Sequence, residues 1–180
     1  MVMSDKTVIA LGVTGSIAAY KAADLTSKLV KAGYEVHVIM TASAQKLVCP
    51  QTFLTLSRQP VTTDLWSVPD WKPGHIDLAD RASILLVAPA TANILAKMAW
   101  GLADDALSTY YLSHHGRVIV APAMNVHMWE HPATVANCRK LRERGVEFVE
   151  PGVGRLACGV EGKGRFAPAE EILAAVAGQH

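Results

Sequence analysis

Strands that alternate with helices predict an α/β fold: a three-layer, doubly wound parallel sheet of the Rossmann-like or flavodoxin-like kind, in a single domain over residues 1–180. Two observations carry this. The apolar runs at residues 7–11, 83–88 and 118–120 are continuous rather than alternating, as in strands buried on both faces. Between them lie helical patterns, the clearest with Ala18, Ala22, Leu25 and Leu29 on one face and Gly33 as its C-terminal stop.

Each element follows in order. The first strand turns through Gly12-Val-Thr-Gly15-Ser16 directly into that helix, and residues 35–40 return as a second strand ending in Thr41-Ala-Ser43. This is one βαβ unit with a right-handed crossover. Residues 50–57 form a short helix. Residues 59–77 read as irregular, with three prolines (Pro60, Pro69, Pro73) and two tryptophans (Trp66, Trp71). A loop of that length in a compact domain is functional or mobile. The third strand is expected to stop at Pro89, after which Thr91-Ala-Asn93 opens a helix ending near Gly101. Asp104 and Asp105 suit the first turn of the next helix, which runs toward His114. Residues 117–121 make the fourth strand, ended by Pro122. Residues 134–144 are helical with Val135, Cys138 and Leu141 inward, and residues 146–149 are the fifth strand. Residues 151–165 hold five glycines and no periodicity, so they read as a loop. Pro168 starts a final helix, with Glu170 and Glu171 in its first turn.

Composition narrows the function. Half the residues are hydrophobic (51%) and 18% are charged, so some surface is expected to be buried against copies of the same chain. A net charge of +1, without basic or acidic blocks, gives no reason to expect nucleic acid or a membrane surface as partner. No signal-peptide core follows Met1, so a cytoplasmic protein is expected. Three cysteines, unevenly spaced, make neither a disulfide framework nor a zinc site, and no metal is expected.

Chemistry concentrates at strand tips and in the glycine-rich stretch. Gly12-Val-Thr-Gly15-Ser16 serves either as an anion cradle at a helix N-terminus or as a tight turn that needs glycine for sterics. It lacks the third glycine of the dinucleotide fingerprint. The hydroxyls of Thr41 and Ser43, where an acidic residue would hold an adenine ribose, suit a phosphate or ribityl chain. Thr91 and Asn93 offer a hydroxyl and an amide, for a ligand or for N-capping. Asn125, in Pro122-Ala-Met-Asn-Val-His-Met-Trp129, offers an amide among apolar, polarisable neighbours, or bonds its own backbone in a turn. His75 enters a helix from the irregular loop and is either a general base or a surface or capping residue. The glycines around Cys158 allow that loop to close over a ligand as a lid, over about residues 151–166, and Arg155 and Arg165 can hold phosphate or carboxylate.

Four features in this order resemble the flavin-dependent cysteine decarboxylase family over nearly the whole chain: the Gly15-Ser-Ile-Ala-Ala-Tyr-Lys21 turn, His75, Pro122–Trp129 and the Cys158 lid. The resemblance implies FMN at a subunit interface in a homotrimer, or in a dodecamer of such trimers. By it, Gly15, Ser16, Ile17, Thr41 and Ser43 face the FMN phosphate and ribityl chain. Thr91, Ala92, Asn93, Ile94, Ser108 and Ala123 lie near the rest of the cofactor. His75 is the active-site histidine, Asn125 binds the substrate carboxylate, and Arg155, Leu156 and Ala157 clamp the substrate. Cys158 donates a proton in the reductive half-reaction. The implied reaction converts 4′-phosphopantothenoylcysteine to 4′-phosphopantetheine: the cysteinyl thiol is oxidised, carbon dioxide leaves, and hydride returns without net redox change.

Many bacterial relatives carry a fused phosphopantothenoylcysteine synthetase. A stand-alone decarboxylase with a separate synthetase, or an excised domain, is therefore expected here. A peptidyl-cysteine decarboxylase of the lantibiotic type would not need Cys158. A non-catalytic flavin-binding regulator often lacks a catalytic residue or carries long charged tails. A flavin prenyltransferase would share the fold without the Asn125 stretch or the Cys158 lid.

Overall fold

The computed structural model describes residues 6–66, 74–155 and 161–178. Strand β1 (Val8–Val13) leads through the glycine turn into α1 (Ala19–Lys31) and back to β2 (Glu35–Met40). Three helices follow: the single turn α2 (Ala42–Gln45), α3 (Pro50–Ser57) and α4 (Gly74–Arg81). Strand β3 (Ile84–Ala90) is followed by α5 (Ala92–Trp100) and α6 (Ala106–Ser113). Strand β4 (Arg117–Pro122) precedes the short α7 (Val126–Glu130), then α8 (Pro132–Glu143) and β5 (Glu147–Phe148). A hairpin of β6 (Gly152–Arg155) and β7 (Glu161–Arg165) comes before α9 (Ala169–Val176).

The main sheet has the order β2-β1-β3-β4-β5, with every neighbouring pair parallel. This is the flavodoxin-type order. Its switch point lies between β1 and β3, and the crevice there opens at the carboxyl ends of the strands.

Alternation along each strand feeds two cores. Ile9, Leu11, Val13 and Leu86 face one side, against α1, α3 and α9. Ala10, Leu85, Val87 and Val120 face the other, against α4, α5, α6 and α8. These are the three expected layers. Leu85 and Leu86 are fully buried on opposite faces. Truncating either to alanine is expected to cost about 2–5 kcal/mol, read from urea unfolding.

Several elements differ from the sequence expectation. Pro89 does not stop β3, which continues to Ala90. The ladder to β4 shifts register between Val87 and Ala90, around a proline that has no N–H to give, and resumes with Ala90 opposite Pro122. The Ala88–Pro89 peptide is cis. β5 is only two residues long. On α8 the inward residue is Thr134, with Cys138 and Leu141, while Val135 is exposed. Thr134, Cys138 and Leu141 stand at i, i+4 and i+7 and so share one face, which turns Val135 away from the core. Residues 59–77 are not uniformly irregular: Thr62 makes a parallel bridge to Ile39, and α4 already begins at Gly74. Residues 152–155 and 161–165 pair as antiparallel strands, where glycine spacing hid a strand pattern.

Asp105 is the N-cap of α6 rather than part of its first turn. Its carboxylate accepts the Ser108 N–H at 2.8 Å, while the Ser108 hydroxyl accepts the Asp105 N–H at 3.1 Å. Burial works against the Asp105 charge, but bonds from Lys97 and Ser108 outweigh it and hold the carboxyl below its ordinary value of 3.8. A depressed folded pKa gives stability that is complete above the unfolded value and lost as pH falls through the folded one. Asp105→Asn keeps the cap and removes this titration. Its unfolding midpoint should therefore fall less steeply than that of the parent below about pH 4, the range of an unperturbed aspartate.

Candidate active site

The crevice at the switch point is a cleft of about 710 Å³. That lies within the usual range for small-molecule sites. Its first wall is the β1–α1 turn: Gly15, Ser16, Ile17 and Ala18, with Tyr20 and Lys21 from α1. A Cβ on Gly15 would stand 2.4 Å from the Ser43 Cβ, so only glycine lets this turn lie against the tip of β2. No side chain caps α1 at Ala18, and the Ser16 hydroxyl accepts the Ala18 N–H at 3.3 Å. Helix N-termini of this kind favour anions.

The opposite wall comes from the tips of β3 and β4. Thr91 lines the cleft and caps α5, its hydroxyl accepting the Ile94 N–H at 3.3 Å. Ala123, Met124, Asn125 and Met128 continue this wall. Asn125 is the N-cap of α7, and its side-chain oxygen accepts the His127 N–H at 2.8 Å. The amide oxygen therefore bonds local backbone, as the turn reading expects, and the residue also lines the cleft.

The third wall is the end of β7, with Gly164, Arg165 and Phe166. Met124 N–H donates to the Gly164 carbonyl at 3.0 Å. Gly164 has φ +151°, and a Cβ there would lie 2.3 Å from the Met124 carbonyl oxygen; one on Gly162 would lie 2.8 Å from Val126. The hairpin is thus seated on the segment that carries Asn125. Glu150 braces its base by accepting from Lys163 at 2.8 Å and pairing with Arg142. Burial opposes the Glu150 charge, yet these two cations hold its carboxyl below the ordinary range.

Seven of the sequence-predicted residues therefore meet in one cleft: Gly15, Ser16, Ile17, Thr91, Ala123, Asn125 and Arg165. Thr41 caps α2, and Ser43 adjoins Gly15 without lining the cleft. Ala92 and Asn93 lie in the first turn of α5, with Asn93 exposed. Ile94 points into the core, and the Ser108 hydroxyl is buried in the α6 capping box. His75 lies in the first turn of α4, and Arg155 ends β6. Leu156, Ala157 and Cys158 lie outside the described residues. The sequence reading gave no site role to Ala18, Tyr20, Lys21 or Phe166. Among the described residues that line the cleft, Lys21 and Arg165 are the cations and none is an acid. That balance selects an anionic ligand.

Residues 2–180 match the family described as Flavoprotein, so the chain belongs to the flavoprotein family. Within that family it is similar to the coenzyme A biosynthesis bifunctional protein CoaBC of Bacillus subtilis (strain 168), 51% identical over 92% of this chain and 41% of the relative. The corresponding CoaBC of Mycobacterium tuberculosis (strain ATCC 25618 / H37Rv) is 45% identical over 91% of this chain and 39% of its own length. The chain spans about two fifths of the length of these curated relatives. Among solved structures, a PPC decarboxylase mutant complexed with pantothenoylaminoethenethiol superposes with a TM-score of 0.86. It is 29% identical, and the match covers 96% of this chain and 97% of that one. The FMN-dependent cysteine decarboxylase SpaF gives a TM-score of 0.82 at 31% identity, covering 97% of this chain and 98% of that one.

Proposed function

We propose that this chain is a carboxy-lyase that converts 4′-phosphopantothenoylcysteine to 4′-phosphopantetheine, with FMN as cofactor, in coenzyme A biosynthesis. The observation that carries the reading is the meeting of the Gly15–Ser16 turn and Asn125 in one cleft. A turn suited to a phosphate and an amide suited to a carboxylate are then within reach of one ligand pair. The cleft fits FMN in kind: an uncapped helix N-terminus, two cations and no acid suit its phosphate, while Ile17, Met124, Met128 and Phe166 suit a flat ring. When bound, FMN supplies reversible oxidation of the cysteinyl thiol, which turns the neighbouring carboxylate into a leaving group.

The chain's own residues do the positioning. Gly15, Ser16, Ile17, Thr41 and Ser43 hold the phosphate end. Thr91, Ala92, Asn93 and Ala123 face the rest of the cofactor, while Ile94 and Ser108 support that wall from behind. Asn125 orients the substrate carboxylate, with Arg155, Leu156 and Ala157 closing over the substrate. His75 stands at the reacting centre, and Cys158 returns the proton. Residues 1–180 act as one flavoprotein domain, with residues of about 151–166 as the substrate lid. Exposed Ile17, Tyr20 and Met128 at the cleft mouth support a homo-oligomer, a trimer or dodecamer, that covers the cofactor. A protein with this activity works in the cytoplasm beside a phosphopantothenoylcysteine synthetase.

The test is an absorbance spectrum of the purified protein, before and after anaerobic addition of 4′-phosphopantothenoylcysteine. A yellow protein that returns to oxidised flavin and yields 4′-phosphopantetheine supports the reading. A protein that stays colourless with added FMN overturns it. A yellow protein that acts only on a peptide ending in cysteine is a peptidyl-cysteine decarboxylase instead. Cys158→Ser should still release carbon dioxide but accumulate the enethiol product with the flavin left reduced, visible as lasting bleaching near the flavin band.

A further inference from the structure

We propose that Thr14 is a positioning residue that sets the width of the cleft by tying together the two strand ends that bound it. The backbone ladder between β1 and β3 runs from Ile9 opposite Ile84 to Gly12 opposite Val87 and ends there. Past that point the two chains part to form the crevice. Thr14, 1% exposed, spans the gap. Its hydroxyl donates to the Pro89 carbonyl at 2.6 Å and accepts the Thr91 N–H at 3.2 Å.

One hydroxyl thus uses both its donor and an acceptor position on a three-residue segment of the facing wall. Thr91 is the residue of that segment that lines the cleft. Its own hydroxyl is committed to the Ile94 N–H, so the Thr14 bond fixes where α5 begins. On the near side, the Ser16 N–H donates to the Thr14 carbonyl at 2.9 Å and the Thr41 N–H to the Val13 carbonyl at 3.1 Å. Thr14 therefore sits where the turn, the β2 tip and the β3 tip are joined. It does not line the cleft, and it acts through Ser16 and Thr91.

The test compares Thr14→Val, which keeps the shape and removes the hydroxyl, with Thr14→Ser, which keeps the hydroxyl. Amide hydrogen exchange without flavin reads the tie itself. The Thr91 amide should exchange at least tenfold faster in the valine variant and within about threefold of the parent in the serine variant, since a tenfold change corresponds to losing roughly one hydrogen bond. FMN affinity, titrated by flavin fluorescence below the unfolding range of each variant, reads the consequence. It should weaken tenfold or more in the valine variant and recover with serine.

The consequence for FMN rests on the proposed flavin function, whereas the exchange measurement does not. Unchanged Thr91 exchange in the valine variant overturns the tie. Faster exchange with unchanged FMN affinity overturns the positioning role and leaves Thr14 as packing alone. Failure of the parent and both variants to bind FMN, with the exchange pattern as expected, refutes the flavin reading and the cofactor consequence, while the tie stands.

Discussion

Replacing Asn125 with aspartate is expected to give a yellow protein that no longer releases carbon dioxide from 4′-phosphopantothenoylcysteine. Aspartate is as good an N-cap as asparagine, so the bond that Asn125 accepts from the His127 N–H at 2.8 Å, and with it α7, survives. What changes is the other half of the amide: its NH2 donor becomes an acceptor oxygen and a negative charge enters. If the substrate carboxylate binds as proposed, a second carboxylate about 4 Å from it, at an effective dielectric of about 20, costs about 4 kcal/mol. That corresponds to a loss of roughly a thousandfold in kcat/KM. Flavin binding should stay within a few-fold, since the turn proposed to cradle its phosphate is on the opposite wall. Loss of the yellow colour together with activity would assign Asn125 to the architecture of the cleft rather than to the substrate.

Replacing Gly164 with alanine should cause a smaller but still large loss by a different route. The new Cβ would lie 2.3 Å from the Met124 carbonyl oxygen, and φ is +151°, where side chains are strained. The obstacle is backbone, not the free end of a side chain, so the Asn125 segment must move. Overpacking of this kind costs about 1–3 kcal/mol of stability, and the backbone conformation costs a similar amount. Displacement of a binding group by about 1 Å lowers turnover by on the order of a hundredfold. Gly152→Ala is the control, because its Cβ would meet nothing closer than 3.9 Å. Steady-state kinetics and thermal unfolding of the two variants side by side decide the matter. Equal activity in both would separate the hairpin from substrate binding.

How far the sequence reaches can be traced through particular residues. The strands are legible because helices cover both faces of the sheet, which leaves continuous apolar runs, and the helix of Ala18, Ala22, Leu25 and Leu29 is legible through its period. Gly15 and Asn125 are legible because each sits where a strand ends and parallel sheets place ligands there. The hairpin is hidden: glycines at 152, 154, 162 and 164 erase the alternation by which strands are read. What selects Gly162 and Gly164 is contact with Val126 and Met124, residues remote from them in the chain. Pro89 misleads because a local rule about missing donors does not know that Ala90 will pair with Pro122. Thr134 takes the core position rather than Val135 because it is the one at i, i+4, i+7 spacing with Cys138 and Leu141, and hydrophobicity alone points to its neighbour. Lys21 and Phe166 share a cleft only because the chain folds back over most of its length, a distance no local pattern spans.

The two edges of the main sheet have a consequence for solubility. On one side β5 offers only two paired residues, Glu147 and Phe148. On the other, Thr62 bonds to β2 from outside, its N–H donating to the Val38 carbonyl at 2.9 Å and its carbonyl accepting the Met40 N–H at 2.9 Å. A strand from another molecule therefore finds a short margin at one edge and a partly occupied one at the other, which is how native sheets resist edge-to-edge aggregation. Beyond this sheet, helices, loops and the β6–β7 hairpin are left as the surfaces through which copies of this chain can meet, and an assembly built that way can stop at a closed ring instead of growing into a fibre.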